Sequence, residues 1–337
     1  MNIIHIPKNN NINFKISFDE TFFSISPSLT YYLKEVFIQN TYLCDNILYN
    51  YIYNIVNPLS FVYTIIPGYD TQISKNKYIS NIFYELIEII NNCNLFDSFY
   101  FKNISILHLT NNHVSADNAF KNNRTGFVDN VTCSDFEYSK IIDISNSGLY
   151  DLIFFEVNNH VNVIIIIFLI CKCQQKNGNV LIKAPAIYNK ITLDALYILS
   201  SFYDNVHIIK PSICNVVHDD VYIVCKGFLN KSSLIENALL PIVTNILNTS
   251  ISVTSILSNE LPNYFLNKIE EFNIIVGQQH VDAVNTIINS IQFKNDDKLE
   301  TLKKMHIQKC IVWCERNKIP YNNLIEKSNI FLTKSSL

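Results

Sequence analysis

From about residue 76 onward, short apolar runs alternate with longer helical stretches, and this order constrains the fold more than any other feature of the chain. Strand-like runs stand at 104–109, 152–156, 180–183, 206–209 and 221–225, each followed by enough residues for a helix. Such alternation is the mark of an α/β fold built on a mostly parallel sheet with helices on both faces. The stretch 159–174 is rich in β-branched residues, which favours a strand. Its length and its place between two strands favour a crossover helix, and a buried helix is the expectation here. Its apolar core, 163–171, is far shorter than the roughly 20 residues a membrane helix needs.

The chain of 337 residues accommodates one large α/β domain and roughly a hundred residues of helical additions. Residues 1–77 read as an N-terminal extension, aromatic-rich and irregular, with one helical stretch near 31–54; residues 78–230 read as the sheet domain, and 231–337 as a C-terminal helical region. In the last segment Phe265, Ile269, Phe272 and Val276 share one helical face, as do Ile307, Cys310, Ile311 and Cys314, and Pro320 stops the final helix.

A net charge of −3 offers no global basic field for nucleic acid, so any RNA contact is local, and no DNA specificity is evident. The nine cysteines are odd in number and scattered, and no secretory signal precedes them, which points to reduced thiols in a cytosol-like compartment. Neither Cys171/Cys173 nor Cys310/Cys314 has the second pair or grouped histidine that structural zinc requires. His108 and His113 lack a third ligand at suitable spacing, so no metal is expected.

One segment carries more specific information. Asn177-Gly178-Asn179-Val180-Leu181-Ile182-Lys183 is followed by a helix, then by Val206-His207-Ile208-Ile209-Lys210-Pro211, and then by Val221-Tyr222-Ile223-Val224-Cys225-Lys226-Gly227-Phe228. This series resembles the end of the FtsJ-like RNA cap ribose 2'-O-methyltransferase domain, in which a glycine turn leads to a strand ending in lysine, a Lys-Pro strand follows, and Tyr-x-Val-Cys-x-Gly-Phe closes the sheet. The resemblance covers about 78–230. It implies a Rossmann-like S-adenosylmethionine-dependent methyltransferase fold and a transfer of methyl to a ribose 2'-hydroxyl. That reaction needs in-line positioning and a group that orients the hydroxyl, supplied in the family by a Lys-Asp-Lys-Glu tetrad.

The second lysine of the tetrad matches Lys183. The other three positions depart from the pattern: Glu85 stands where the first lysine belongs, Glu156 where the aspartate belongs and Asp220 where the glutamate belongs, and Asn215 replaces an expected arginine. A lysine among Glu85, Glu156 and Asp220 should have its pKa raised, the wrong direction for a base. Replacing a cation by Glu85 also repels RNA phosphate.

The cofactor loop departs further. Where the family places an acid and a glycine-rich turn after the first strand, this chain reads Thr110-Asn111-Asn112-His113-Val114-Ser115, without glycine and with a β-branched valine least able to take positive φ. Gly126-Phe127 stands where a Gly-Asp would close the adenine side, placing Phe127 at an acid's position.

The resemblance therefore implies a degenerate, catalytically inactive member from an AT-rich viral genome, holding no cofactor and serving as an accessory or regulatory subunit in RNA capping or modification. Its partner would be a protein of the capping or transcription machinery, with RNA possible and no membrane association. Its place would be the host cytoplasm, at the site of viral replication, or the virion. The poxvirus mRNA-capping enzyme small subunit is similar in kind, and Ser255-Ile256-Leu257-Ser258-Asn259 and Phe265-Leu266-Asn267-Lys268-Ile269-Glu270-Glu271-Phe272 look like its C-terminal part. Two alternatives stand beside this reading: an active enzyme that binds S-adenosylmethionine through a divergent loop, and a structural virion protein that reuses the fold.

Overall fold

The computed structural model describes residues 1–9, 12, 14–17, 25–43, 48–76, 80–157, 162–229, 233–248, 253–258, 260–293 and 296–322. The elements up to the first central strand are β1 (Asn2–Ile6), β2 (Phe14–Ser17), α1 (Pro27–Leu43), α2 (Tyr49–Val56), α3 (Asn81–Cys93) and β3 (Ser105–Leu109). There follow α4 (His113–Asn123), β4 (Asn130–Ser134), α5 (Ile141–Ser145), β5 (Tyr150–Glu156), α6 (Asn162–Cys173), β6 (Gln174–Ala184), α7 (Lys190–Phe202), β7 (Tyr203–Lys210) and β8 (Val221–Phe228). The chain closes with α8 (Ser233–Asn248), β9 (Ser255–Leu257), α9 (Asn263–Phe293) and α10 (Asp296–Arg316).

Seven strands form one sheet in the spatial order β1-β7-β8-β6-β5-β3-β4, while β2 pairs with β9 apart from it. β3 lies parallel to β4 and β5, and β5 parallel to β6. β8 enters antiparallel between β6 and β7, and β1 runs antiparallel to β7 along the edge. β3 to β7 therefore share one direction, and β8 and β1 take the other. This is the Rossmann-like, mostly parallel α/β sheet that the alternation predicts.

Both faces are buried. Leu107, Ile153, Phe155 and Ile182 pack into one core with α6, α7, α8 and the first half of α9, whereas Ile106, Phe154 and Leu181 pack into a second with α2, α3, α4 and α10. Successive strand residues point to opposite faces, so a sheet covered on both sides reads as continuous apolar runs. α6 forms as expected within 159–174, of which residues 158–161 lie outside the described set. It is apolar all round and buried from Ile164 to Cys171, as a helix surrounded by protein must be. Joining two parallel strands requires a crossover of this length. Among the described residues no helix is long and apolar enough to cross a membrane.

The flanking segments are more ordered than the sequence suggests. The N-terminal part is not merely irregular: β1 is a strand of the main sheet, and the helical stretch near 31–54 is two helices, α1 and α2. Both cores draw residues from all three expected segments, with Ile6 and Phe265 in one and Ile52 and Trp313 in the other. The expected boundaries at 77/78 and 230/231 fall on residues outside the described set, as does Asn259. β4 was not legible as a strand, because an edge strand reading Asn130-Val131-Thr132-Cys133-Ser134 buries little.

Candidate functional site

α3 supplies the first position of the site. Asn81, Glu85, Glu88 and Asn92 recur at the spacing of one helical stripe, in a helix whose Ile82, Phe83, Tyr84, Leu86, Ile87, Ile89 and Ile90 are all buried. The two acids of the stripe are buried too, with Glu85 only 2% and Glu88 3% exposed, while Asn81 and Asn92 are half-buried. Buried carboxylates must be met by donors, and both are. Glu85 accepts from Lys183 Nζ at 3.1 Å and from Tyr222 OH at 2.5 Å through one oxygen, and from Asn81 Nδ2 at 3.1 Å through the other. Glu88 accepts from the backbone N–H groups of Ser212 and Ile213 and from the indole N–H of Trp313, at 2.9–3.0 Å.

Lys183 lies near the carboxyl end of β6, the edge at which open α/β sheets bind their ligands. Its neighbours across the sheet are Glu156 of β5 and Tyr222 of β8. Only 9% exposed, it pairs with Glu85 and lies 3.9 Å from Asp220. Burial works to lower the lysine pKa, but Glu85, and after it Asp220, outweigh that and leave it raised. An ammonium so held keeps its proton at neutral pH. Burial, and next Glu85, push the Tyr222 phenol and the Cys214 thiol well above their ordinary ranges, so both stay neutral.

Glu156 takes no part in that pair. Its carboxylate accepts from Thr110 Oγ1 at 2.5 Å and from Asn112 Nδ2 at 3.1 Å, and Thr110 Oγ1 accepts in turn from the Asn112 backbone N–H. These bonds fold the turn after β3 back onto β5. No residue from Thr110 to Ser115 has positive φ, and Asn112 enters α4 at φ −102°. The turn is thus a side-chain-filled connection rather than an open glycine cradle. Ser115 is tied to Ser80 by a 2.8 Å hydroxyl contact, Asn111 and Val114 face solvent, and His113 opens α4.

The structure brings Glu85, Lys183 and Asp220 together and places Glu156 beside Thr110 and Asn112, but it does not bring Phe127 to them. Phe127 sits between α4 and β4 under the Arg124 guanidinium, 4.4 Å from its ring centroid. Its neighbour Asp129 accepts from the Ile104 N–H just before β3 and is paired with Arg124. This is the amino-terminal edge of the sheet, to which any helix between parallel strands must return the chain. Phe127 therefore stands apart from the turn at Thr110–Ser115.

A further acid, Asp135, follows the carboxyl end of β4, one residue beyond Ser134, the register partner of Leu109. It could not be read without β4. Asn81, Glu88 and Tyr222 could have been found from the polar stripe in an apolar helix and from the phenol of the closing motif. Asn215 donates to Tyr53 OH, and Lys210, of the Lys-Pro motif, donates to the carbonyls of His218 and Asp220 at 2.7 Å, fixing the loop that carries Asp220. His108 is buried beneath α4, stacked on Phe120.

No family model matches the chain. An uncharacterised protein of Acanthamoeba polyphaga mimivirus is 24% identical over 246 residues, which span 66% of this chain and 64% of that relative. Among solved structures, similarity extends to a protein described as a ribosomal RNA methyltransferase of Plasmodium falciparum, with 19% identity, 45% of this chain and all of that one covered, and a TM-score of 0.35. It extends also to the fibrillarin pre-rRNA processing protein of Methanococcus jannaschii, with 16% identity, 39% of this chain and 69% of that one covered, and a TM-score of 0.28.

Proposed function

We propose that this chain is a methyltransferase-fold protein without methyl-transfer activity, retained as an accessory or regulatory subunit of viral RNA capping or modification. The observation that carries the reading is the buried Lys183–Glu85–Tyr222 cluster. The one retained tetrad residue spends its charge on a carboxylate that stands where the family has a cation. The Thr110–Glu156–Asn112 network supports it from the cofactor side, since a seated S-adenosylmethionine would have to displace side chains already hydrogen-bonded to one another. The mimivirus relative supports a viral setting, at the replication site in the host cytoplasm or in the virion. The partner would be a protein of the capping or transcription machinery.

The test is calorimetric titration with S-adenosylmethionine beside a 2'-O-methylation assay on capped RNA. No binding in the micromolar range and no methyl transfer are expected. An active enzyme remains the rival, favoured by the placement of Lys183, Glu85 and Asp220 at one carboxyl-end cluster. Methylation by the wild type that Lys183→Ala abolishes would establish that rival and overturn the proposal.

A further inference from the structure

A cavity of about 810 Å³ opens between the sheet edge and the added helices, lined by Asn2 of β1, by the residues that follow β7, by the end of α2 and by α9 and α10. Its volume falls in the range of small-molecule sites, whereas protein–protein contact surfaces are mostly flatter. The lining is largely apolar, with Val56, Leu59, Val276, Ala283, Val312 and Trp313 among its residues. Its charged members are unequal in number: Lys210, Lys309 and Arg316 against Asp282. Among the described residues none of the three cations forms an ion pair with a carboxylate. Lys210, only 5% exposed, is held by two backbone carbonyls, and Arg316 donates to the Asn92 side-chain carbonyl. The single acid is already engaged, Asp282 accepting from Gln278 Nε2 at 2.8 Å.

In a chain of net charge −3, a hollow with three cations to one acid selects by sign, and its apolar walls select by hydrophobicity. We infer that this cavity is a binding site for an apolar organic anion, a molecule with a hydrocarbon or aromatic body and one acidic group. The body lies against Val276, Ala283 and Trp313, and the acidic group lies toward Lys309 and Arg316. The inference does not rest on the proposed function, although Lys210, Cys214 and Trp313 line the cavity and also border the Lys183 cluster, Lys210 through the loop of Asp220 and Trp313 through Glu88.

Trp313 is the sole tryptophan of the chain and a lining residue, so its fluorescence reports on occupancy directly. The probes are dodecanoate and dodecyltrimethylammonium, which share a tail and differ in charge, each titrated below its micellar concentration with calorimetry in parallel. Dodecanoate should bind roughly tenfold more tightly than the cation and shift the Trp313 emission, as expected of about 1.4 kcal/mol of charge discrimination. The exposed pair of changes Lys309→Glu and Arg316→Glu should remove or reverse that preference, and Ala283→Phe should weaken both probes by filling the hollow. Should Ala283→Phe fail to fold, the surface double change still decides the matter. Equal affinity for the two probes, affinity indifferent to the double change, or no binding of dodecanoate would each overturn the inference.

Discussion

The crevice around Lys183 and the cavity beneath α9 and α10 lie toward the same carboxyl edge of one sheet, yet they treat charge in opposite ways. In the crevice the buried cation meets Glu85 and Asp220, and Glu156 is met by Thr110 and Asn112. In the cavity three cations have no carboxylate partner among the described residues, and the walls between them are largely apolar. A buried ion pair that is hydrogen-bonded within the chain has little left to offer a ligand. Unmatched cations over apolar walls leave both charge and surface to be satisfied from outside. The difference teaches that one sheet edge can carry both a cluster whose charges are met within the chain and a hollow whose charges are not, because the helices packed around that edge wall off separate surfaces.

The comparison breaks most readily at Glu85. Glu85→Ala should cost about 3–5 kcal/mol in urea unfolding, because it leaves a buried ammonium without its partner. Replacing both members, Glu85→Leu with Lys183→Met, should recover most of that loss. A raised lysine pKa places this contribution in full below the ordinary lysine value of 10.5, and it is lost only as pH rises through the folded value above it. The wild-type contribution should therefore be the same at pH 7 and pH 9, whereas in Glu85→Ala burial works against the ammonium with Asp220 as its main remaining opponent, so the deficit should be no larger at pH 9 than at pH 7. A deficit under about 1 kcal/mol would mean that Lys183 is solvated and open to ligands, and the contrast between the regions would fail.

His108 gives the next largest effect. Burial, with its neighbours His113 and Lys121 adding to it and Asp117 opposing, holds the imidazole down to about 4 from 6.5. The unfolded chain then binds more protons than the native one between these values, so stability falls as pH drops from 6.5 toward 4. The full loss is about 3 kcal/mol at 1.36 kcal/mol per unit. His108→Phe should flatten that limb of the stability curve, measured by urea titration at successive pH values. An unchanged slope would place the acid sensitivity elsewhere.

Trp313 belongs to both regions, since it lines the cavity and donates to Glu88 beside Glu85. Trp313→Phe keeps the ring packing but removes one donor from a buried carboxylate, and should cost about 1.5–3 kcal/mol. Its hydrogen-exchange signature should be confined to α10 and the end of α3. The smallest effect is expected at Lys309. Lys309→Ala should change stability by less than about 0.5 kcal/mol, since an exposed cation without a partner contributes little to the fold. A larger loss would show that this charge is internally satisfied and would weaken the case for an anion site.

Much of the candidate site was legible in the residues. Lys183, Glu85, Asp220 and Glu156 were pointed to by the resemblance to the family's tetrad, and the raised lysine pKa followed from its acidic neighbours. Glu156 was the partial exception: it stands beside Lys183 in register, but hydroxyl and amide donors on the turn after β3 claim it. That Phe127 stands apart from the turn was not legible, because a position near a glycine in sequence says nothing of the sheet edge it occupies until the intervening helix has been traced.

What the sequence by itself determined was local and periodic: the apolar runs of β3, β5, β6, β7 and β8, the wholly apolar α6, the faces of α9 and α10, and the absence of glycine between Thr110 and Ser115. Each follows from side-chain spacing within a few residues. Tertiary structure alone decided the pairing of Asn2–Ile6 with β7 some two hundred residues away, the edge strand β4, and the cavity walled by β1, β7, α2, α9 and α10. Strand pairing at an edge and the hollow between packed elements depend on surfaces that meet only after collapse, and no periodicity along the chain records which surfaces will meet.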